Sequence, residues 1–99
     1  MWKIVALLGL IGSPALAQTS EVVAHCATYG DLAAEMMTQR QNGTAISTIL
    51  GVLSDEETQE KEMVMEAFDV PRFHSPSGQQ RAVDDYRASI EVRCLRAVM

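Results

Sequence analysis

Aromatic side chains are scarce in this chain: one tryptophan, two tyrosines and two phenylalanines among 99 residues. Cysteine is scarcer, limited to Cys26 and Cys94, and lysine is limited to Lys3 and Lys61. Each shortage excludes something. Two cysteines 68 positions apart lack the C-x-x-C spacing of a redox-active pair, so neither is expected to carry a lowered thiol pKa. Neither G-x-S-x-G nor H-E-x-x-H occurs, and with both cysteines oxidised His25 and His74 have no nucleophile to serve. Asp84 and Asp85 are neighbours and would face different ways on a helix. No enzyme is expected.

Long apolar runs are also missing, apart from one at the N-terminus. Lys3, the run Ile4 to Ile11, the break Gly12-Ser13-Pro14 and the small residues Ala15-Leu16-Ala17 have the layout of a secretory signal peptide, cut before Gln18. The run falls well short of the ~20 residues of a membrane-spanning helix. The expected product is therefore periplasmic or secreted, soluble after cleavage, and free of the membrane.

Removal of residues 1–17 leaves 82 of the 99, one small domain spanning 18–99. Trp2 leaves with the signal. Seven Lys and Arg then face thirteen Asp and Glu, a net charge of −6 that argues against nucleic acid as a partner. A domain this small has a thin margin of stability and usually needs a staple.

Helical periodicity dominates what remains. Val22, Cys26, Tyr29, Ala33, Met36 and Arg40 recur at spacings of three and four, and Thr19 or Ser20 is placed to cap their helix. Gly30 weakens that helix by about 1 kcal/mol relative to alanine, which suggests a close approach by a neighbouring element. Asn42-Gly43 supplies a left-handed stop. Ile46, Ile49, Leu50 and Leu53 mark a short second helix with Thr44 as its cap. Ser54 and Glu57 form a capping box for a third helix, about 55–69, whose Val64, Ala67 and Phe68 face inward. Glu57 is expected to pair with Lys61 on that helix, and Pro71 ends it at or before Val70. The last helix starts at Ser75-Pro76 or at Ser77, and its stripe is Val83, Tyr86, Ile90, Cys94 and Ala97.

The fold class is therefore all-α, a small bundle of about four helices. Cys26 lies early in the first long helix and Cys94 late in the last, each on an apolar stripe. A bond between them requires those helices to run antiparallel. Closing a loop of this length contributes ~4 kcal/mol by chain entropy, against ~5 kcal/mol of total stability for a small domain.

No metal site or cofactor is expected. His25, His74, Met36, Met37, Met63, Met65 and Met99 are candidate soft ligands, but residues two apart on a helix point about 200° apart and residues one apart about 100°. Methionine as core filler fits better. The acidic stripe Glu62, Glu66 and Asp69 reads as a solvated face or as a surface for a cation or basic partner.

Cys26, Arg40-Gln41-Asn42-Gly43, Val70-Pro71-Arg72, Tyr86 and Cys94 together resemble the pattern of small exported, disulfide-linked helical proteins of bacteria whose function is unassigned. The resemblance covers most of the mature chain and implies a fold, not an activity. Periplasmic acid-stress chaperones are similar in size, helicity and single disulfide, but they are rich in lysine and carry a tryptophan just before the first cysteine, both missing here.

Two function classes follow. In the first, the chain is a non-catalytic module of the bacterial cell envelope with an interaction or structural role. Arg72, Phe73 and His74 form its contact with an envelope protein, unless Phe73 simply covers the end of the core. In the second, it is a conditionally active periplasmic acid-stress chaperone: protonation of the carboxylates swings the charge from −6 to about +9 and opens the domain while the disulfide keeps it compact.

Overall fold

The computed structural model describes the backbone of residues 2–98 and the side chains of residues 20–98. Four helices follow one another, α1 (Trp2–Asn42), α2 (Ile46–Gly51), α3 (Thr58–Asp69) and α4 (Pro76–Val98), with no strand among the described residues. The signal segment, its cleavage before Gln18 and the cap expected at Thr19 lie outside the described side chains. Ser20 stands inside α1 rather than at its start.

The long helices α1 and α4 run antiparallel side by side. Cys26 and Cys94 are joined with their Cα atoms 5.5 Å apart. One turn further along α1, the absent side chain of Gly30 leaves room for Glu91. A Cβ there would lie 2.2 Å from the Glu91 carboxylate. The weak helix former is thus explained by a close approach, as a glycine inside the helix suggested.

Helix α3 lies against α1 and closes the core. Met37, Val64, Ala33 and Ala67 are sealed from solvent, joined by Met36, Met63, Ala82, Tyr86 and Ile90. The inward face of α3 is therefore Met63, Val64 and Ala67, with Phe68 half-buried at its edge. Burial of each larger side chain contributes about 1.5–3 kcal/mol. Alanines permit the close helix contact, and the flexible methionines fill the irregular space left over. Helix α2 is too short to bury a residue of its own. It packs Ile46, Ile49 and Leu50 on the margin.

The ends of these helices show local chemistry and its limits. Gly43 adopts φ +85°, and the amides of Gly43 and Thr44 donate to the carbonyls of Arg40 and Gln39 at 3.1 and 3.0 Å. That pair of bonds is a Schellman motif, the stop expected from Asn42-Gly43. At the start of α4, the Ser75 hydroxyl accepts from the Gly78 amide at 3.0 Å and Pro76 occupies the first helical position. Of the two candidate starts, Ser75-Pro76 is used. Val70 is extended at ψ 132° ahead of Pro71, which ends α3 at Asp69.

Four local expectations fail, one of them only in half. Thr44 does not cap α2; its hydroxyl instead bonds the Gln39 side chain at 2.6 Å, and Ala45 takes the cap position without a side-chain bond. Helix α3 starts at Thr58, three residues late, with Glu57 at the cap position. Half of the Ser54–Glu57 box forms: the Glu57 carboxylate accepts from the Ser54 amide at 2.9 Å and its hydroxyl at 3.0 Å, but the Glu57 amide goes to the Ser54 carbonyl. Because the serine hydroxyl is drawn to the carboxylate, the segment 54–57 closes as a turn rather than a first helical turn. Lys61 pairs with Asp55 at 3.6 Å in place of Glu57.

Candidate functional site

The interaction residues expected from the sequence, Arg72, Phe73 and His74, lie on the irregular segment between α3 and α4. What fixes this segment is the end of α1. Gln41 is 3% exposed, the one buried polar side chain among the described residues. Its amide nitrogen donates to the Pro71 carbonyl at 3.0 Å and its amide oxygen accepts from the Phe73 amide at 2.8 Å. Both ends of one primary amide are used to hold the backbone on either side of Arg72.

The neighbours of Gln41 add to this joint. The Arg40 guanidinium donates to the Val70 carbonyl at 2.9 Å and lies 4.9 Å from the centre of the Phe68 ring. Arg72 reaches back to donate to the Gln41 carbonyl at 3.3 Å, with its guanidinium over Gly43. A carbonyl at a helix end has no intrahelical donor, so these cations meet a need that the fold creates. The tetrapeptide Arg40-Gln41-Asn42-Gly43 and the tripeptide Val70-Pro71-Arg72 are two halves of one polar joint.

Held in this way, Phe73 does not cover the core. Its side chain is 41% exposed and stands outside the cluster of packed apolar residues. It lines an open groove of about 640 Å³ with Val70, Ala82 and Tyr86 on the apolar side and Arg81 and Asp85 at the polar rim. The Phe73 carbonyl accepts from Gln79 at 2.8 Å, which ties the ring's backbone to α4 as well. His74 is exposed beside it.

The other end of the hairpin is organised differently. Beside the disulfide, His25 and Tyr29 meet edge to face at 5.2 Å. The acidic stripe of α3 is divided there. Glu66 is gripped by both Arg93 nitrogens of α4, at 2.8 and 2.9 Å, whereas Glu62 and Asp69 remain exposed. The sequence placed only Lys61 near this stripe; the antiparallel packing of α4 supplies Arg93 instead. Arg93 hydrogen bonds hold the Glu66 carboxyl below the usual carboxylate range. Tyr86 donates to the Met63 carbonyl at 2.6 Å and lies 3.4 Å from Glu66, and burial pushes its phenol up. A second ion pair, Arg87 with Asp31, ties α4 to α1.

Of the soft candidate ligands, Met36, Met37 and Met63 are core residues, Met65 is 54% exposed on the opposite side of α3 from Met63, and Met99 lies outside the described residues. His25 and His74 sit at opposite ends of the α1–α4 pair. Among the described residues no three His, Cys, Asp or Glu side chains are grouped as a metal would require, and no helix is long and apolar enough to cross a membrane.

Gln41 is the residue of this joint that periodicity missed. It follows Arg40 at the edge of the stripe, where a polar residue reads as solvent-facing. Its only local signal is that it stands just ahead of a helix stop. No family of proteins matches the chain by sequence, no curated protein matches it, and no solved structure matches it.

Proposed function

We propose that this chain is an exported, non-catalytic helical module of the bacterial cell envelope, and that Arg72, Phe73 and His74 present its contact with a protein partner. One observation carries the reading. Phe73 is a large apolar ring outside the core, on a backbone held rigidly by Gln41, at the mouth of a groove with an apolar wall. A fixed aromatic costs little conformational entropy on binding and brings a large contact area, and an arginine beside it suits the polar rim of an interface. The intramolecular disulfide fits an oxidising compartment, in keeping with the secretory layout of residues 1–17.

The test places a photo-crosslinking residue at His74 and, as a control, at Met65, and exposes each protein to an envelope fraction. A partner that crosslinks from position 74, not from position 65, and is lost in F73A supports the reading. Equal capture from both positions, or capture indifferent to F73A, removes it.

A second reading, the acid-stress chaperone, is favoured by the way α3 is held to α4. Side chains make that connection: Glu66 to Arg93, with Tyr86 against Met63 and Glu66. The groove around Glu66 also presents Glu62 from α3 and His25 and Tyr29 from α1. Because the Glu66 carboxyl is depressed in the folded state, its contribution is complete above the ordinary carboxylate range and is lost as pH falls through the depressed value. Loss of this connection at low pH frees one side of α3 while the disulfide still joins α1 to α4. Dye binding and suppression of client aggregation, at about pH 2 to 3 where such acid states form, support this reading if both appear. Absence of acid-induced apolar exposure removes it.

A further inference from the structure

We propose that Asn42-Gly43 is a latent modification site, at which succinimide formation is blocked by the folded joint and released when the joint opens. The chemistry needs only the chain and water. The backbone nitrogen of Gly43 attacks the side-chain carbonyl carbon of Asn42, a carbon–nitrogen bond forms, the amide proton is given up and ammonia leaves. Water then opens the five-membered ring at either carbonyl, producing aspartate or isoaspartate at position 42. Glycine as the following residue favours this step because no side chain crowds the attacking nitrogen.

Asn42 is exposed, so the water that opens the ring is not excluded. The nucleophile is. The Gly43 amide donates to the Arg40 carbonyl at 3.1 Å, and the Thr44 amide fastens the next residue to Gln39 at 3.0 Å. The backbone of Asn42 is helical, which holds the Gly43 nitrogen away from the line of approach to the Asn42 side-chain carbonyl. On the other side the Arg72 guanidinium covers Gly43, 2.9 Å from where a Cβ would stand. The Schellman bonds, the helical backbone and Arg72 all hold the reacting atoms apart; the first two are local to the end of α1, and the Arg72 cover is brought by the Arg40–Gln41 joint with residues 70–73.

Conversion therefore records that the joint has opened, and it makes the opening permanent. Isoaspartate inserts a methylene into the backbone between Gln41 and Gly43, which breaks the register of the two Schellman bonds and displaces the Gln41 amide from Pro71 and Phe73. If Phe73 is the partner contact, modification at Asn42 disables it; the site itself does not depend on that reading.

The experiment compares the disulfide-bonded native protein, the same chain reduced and unfolded in urea, and native Q41A, all at mildly alkaline pH. Asn42 conversion is followed by peptide mass and isoaspartyl methyltransferase labelling. Reaction proceeds through the open population, so the expected native rate is more than about tenfold below the unfolded rate, with Q41A between them. N42Q abolishes the signal. A native rate equal to the unfolded rate, a Q41A rate equal to the native one, no conversion at position 42 in the unfolded chain, or labelling that persists in N42Q each overturns the proposal. Binding of the crosslinked partner by aged protein separates the two ideas: Asn42 conversion with partner binding intact leaves the modification site standing and removes the link to Phe73.

Discussion

The two ends of the α1–α4 hairpin are closed by different means. At one end a single covalent bond, Cys26–Cys94, joins the helices; at the other, ~22 Å along α1 at ~1.5 Å per residue, Gln41 and its neighbours hold the loop 70–73 by noncovalent contacts, chiefly hydrogen bonds. The covalent end needs no precise surroundings and leaves His25 exposed beside it. The polar end works only if every partner is in place, because a buried amide left without a partner costs more than the bond it loses. A disulfide holds two helices together, whereas a saturated side-chain amide determines where a particular loop backbone sits. The presented aromatic, Phe73, is accordingly at the polar end.

The largest effect is expected at the covalent end. C26S/C94S, in which both sulfurs are removed together, loses about 3–4 kcal/mol, the chain-entropy contribution of a long closed loop. Urea unfolding with and without reductant checks this: wild type under reductant should coincide with the double variant, and the variant alone should be insensitive to reductant.

At the polar end Q41A is expected to lose about 2 kcal/mol, because it strands the Phe73 amide and the Pro71 carbonyl while leaving the disulfide intact. Urea unfolding of the oxidised variant measures it. A loss no larger than that of an exposed glutamine such as Gln80, replaced in the same way, would make the joint ornamental. The two losses should add, since the sites are far apart and share no partner.

Much of this contrast was legible before any coordinates. Cys26 and Cys94 fall on apolar stripes of helical period, which sets their helices antiparallel; Gly43, Pro71 and Ser75-Pro76 punctuate the chain where the helices do end. These signals are local, and local chemistry enforces them. The Glu57 box misled because its partners also close a turn, and Met65, read with the other methionines as core filler, stands exposed instead. The Glu66–Arg93 pair and the Gln41 joint were invisible because their halves lie 27 and about 30 residues apart and meet only after α4 and α3 have docked. A buried glutamine carries no periodic signal. The need that it fills, the unpaired backbone of a loop, exists only in the folded chain.

The smallest effect is electrostatic. E66Q should cost within about 1 kcal/mol at neutral pH, as partly exposed ion pairs do. Its clearer signature is in the pH dependence. Wild type loses stability as pH falls through the depressed Glu66 value, and E66Q lacks that share of the loss. Unfolding midpoints across acid pH measure the difference, and parallel curves would show that Glu66 does not contribute to acid sensitivity.

The most direct test of the division between the two ends is amide hydrogen exchange, read at Phe73 and at Ile90 in oxidised wild type and oxidised Q41A. In wild type both amides are protected, although Phe73 lies in a loop. In Q41A protection at Phe73 collapses while Ile90, near the disulfide in the α4 core, keeps its own. Equal protection of Phe73 in both proteins, or loss at both positions together, would contradict the assignment of loop order to the Gln41 joint.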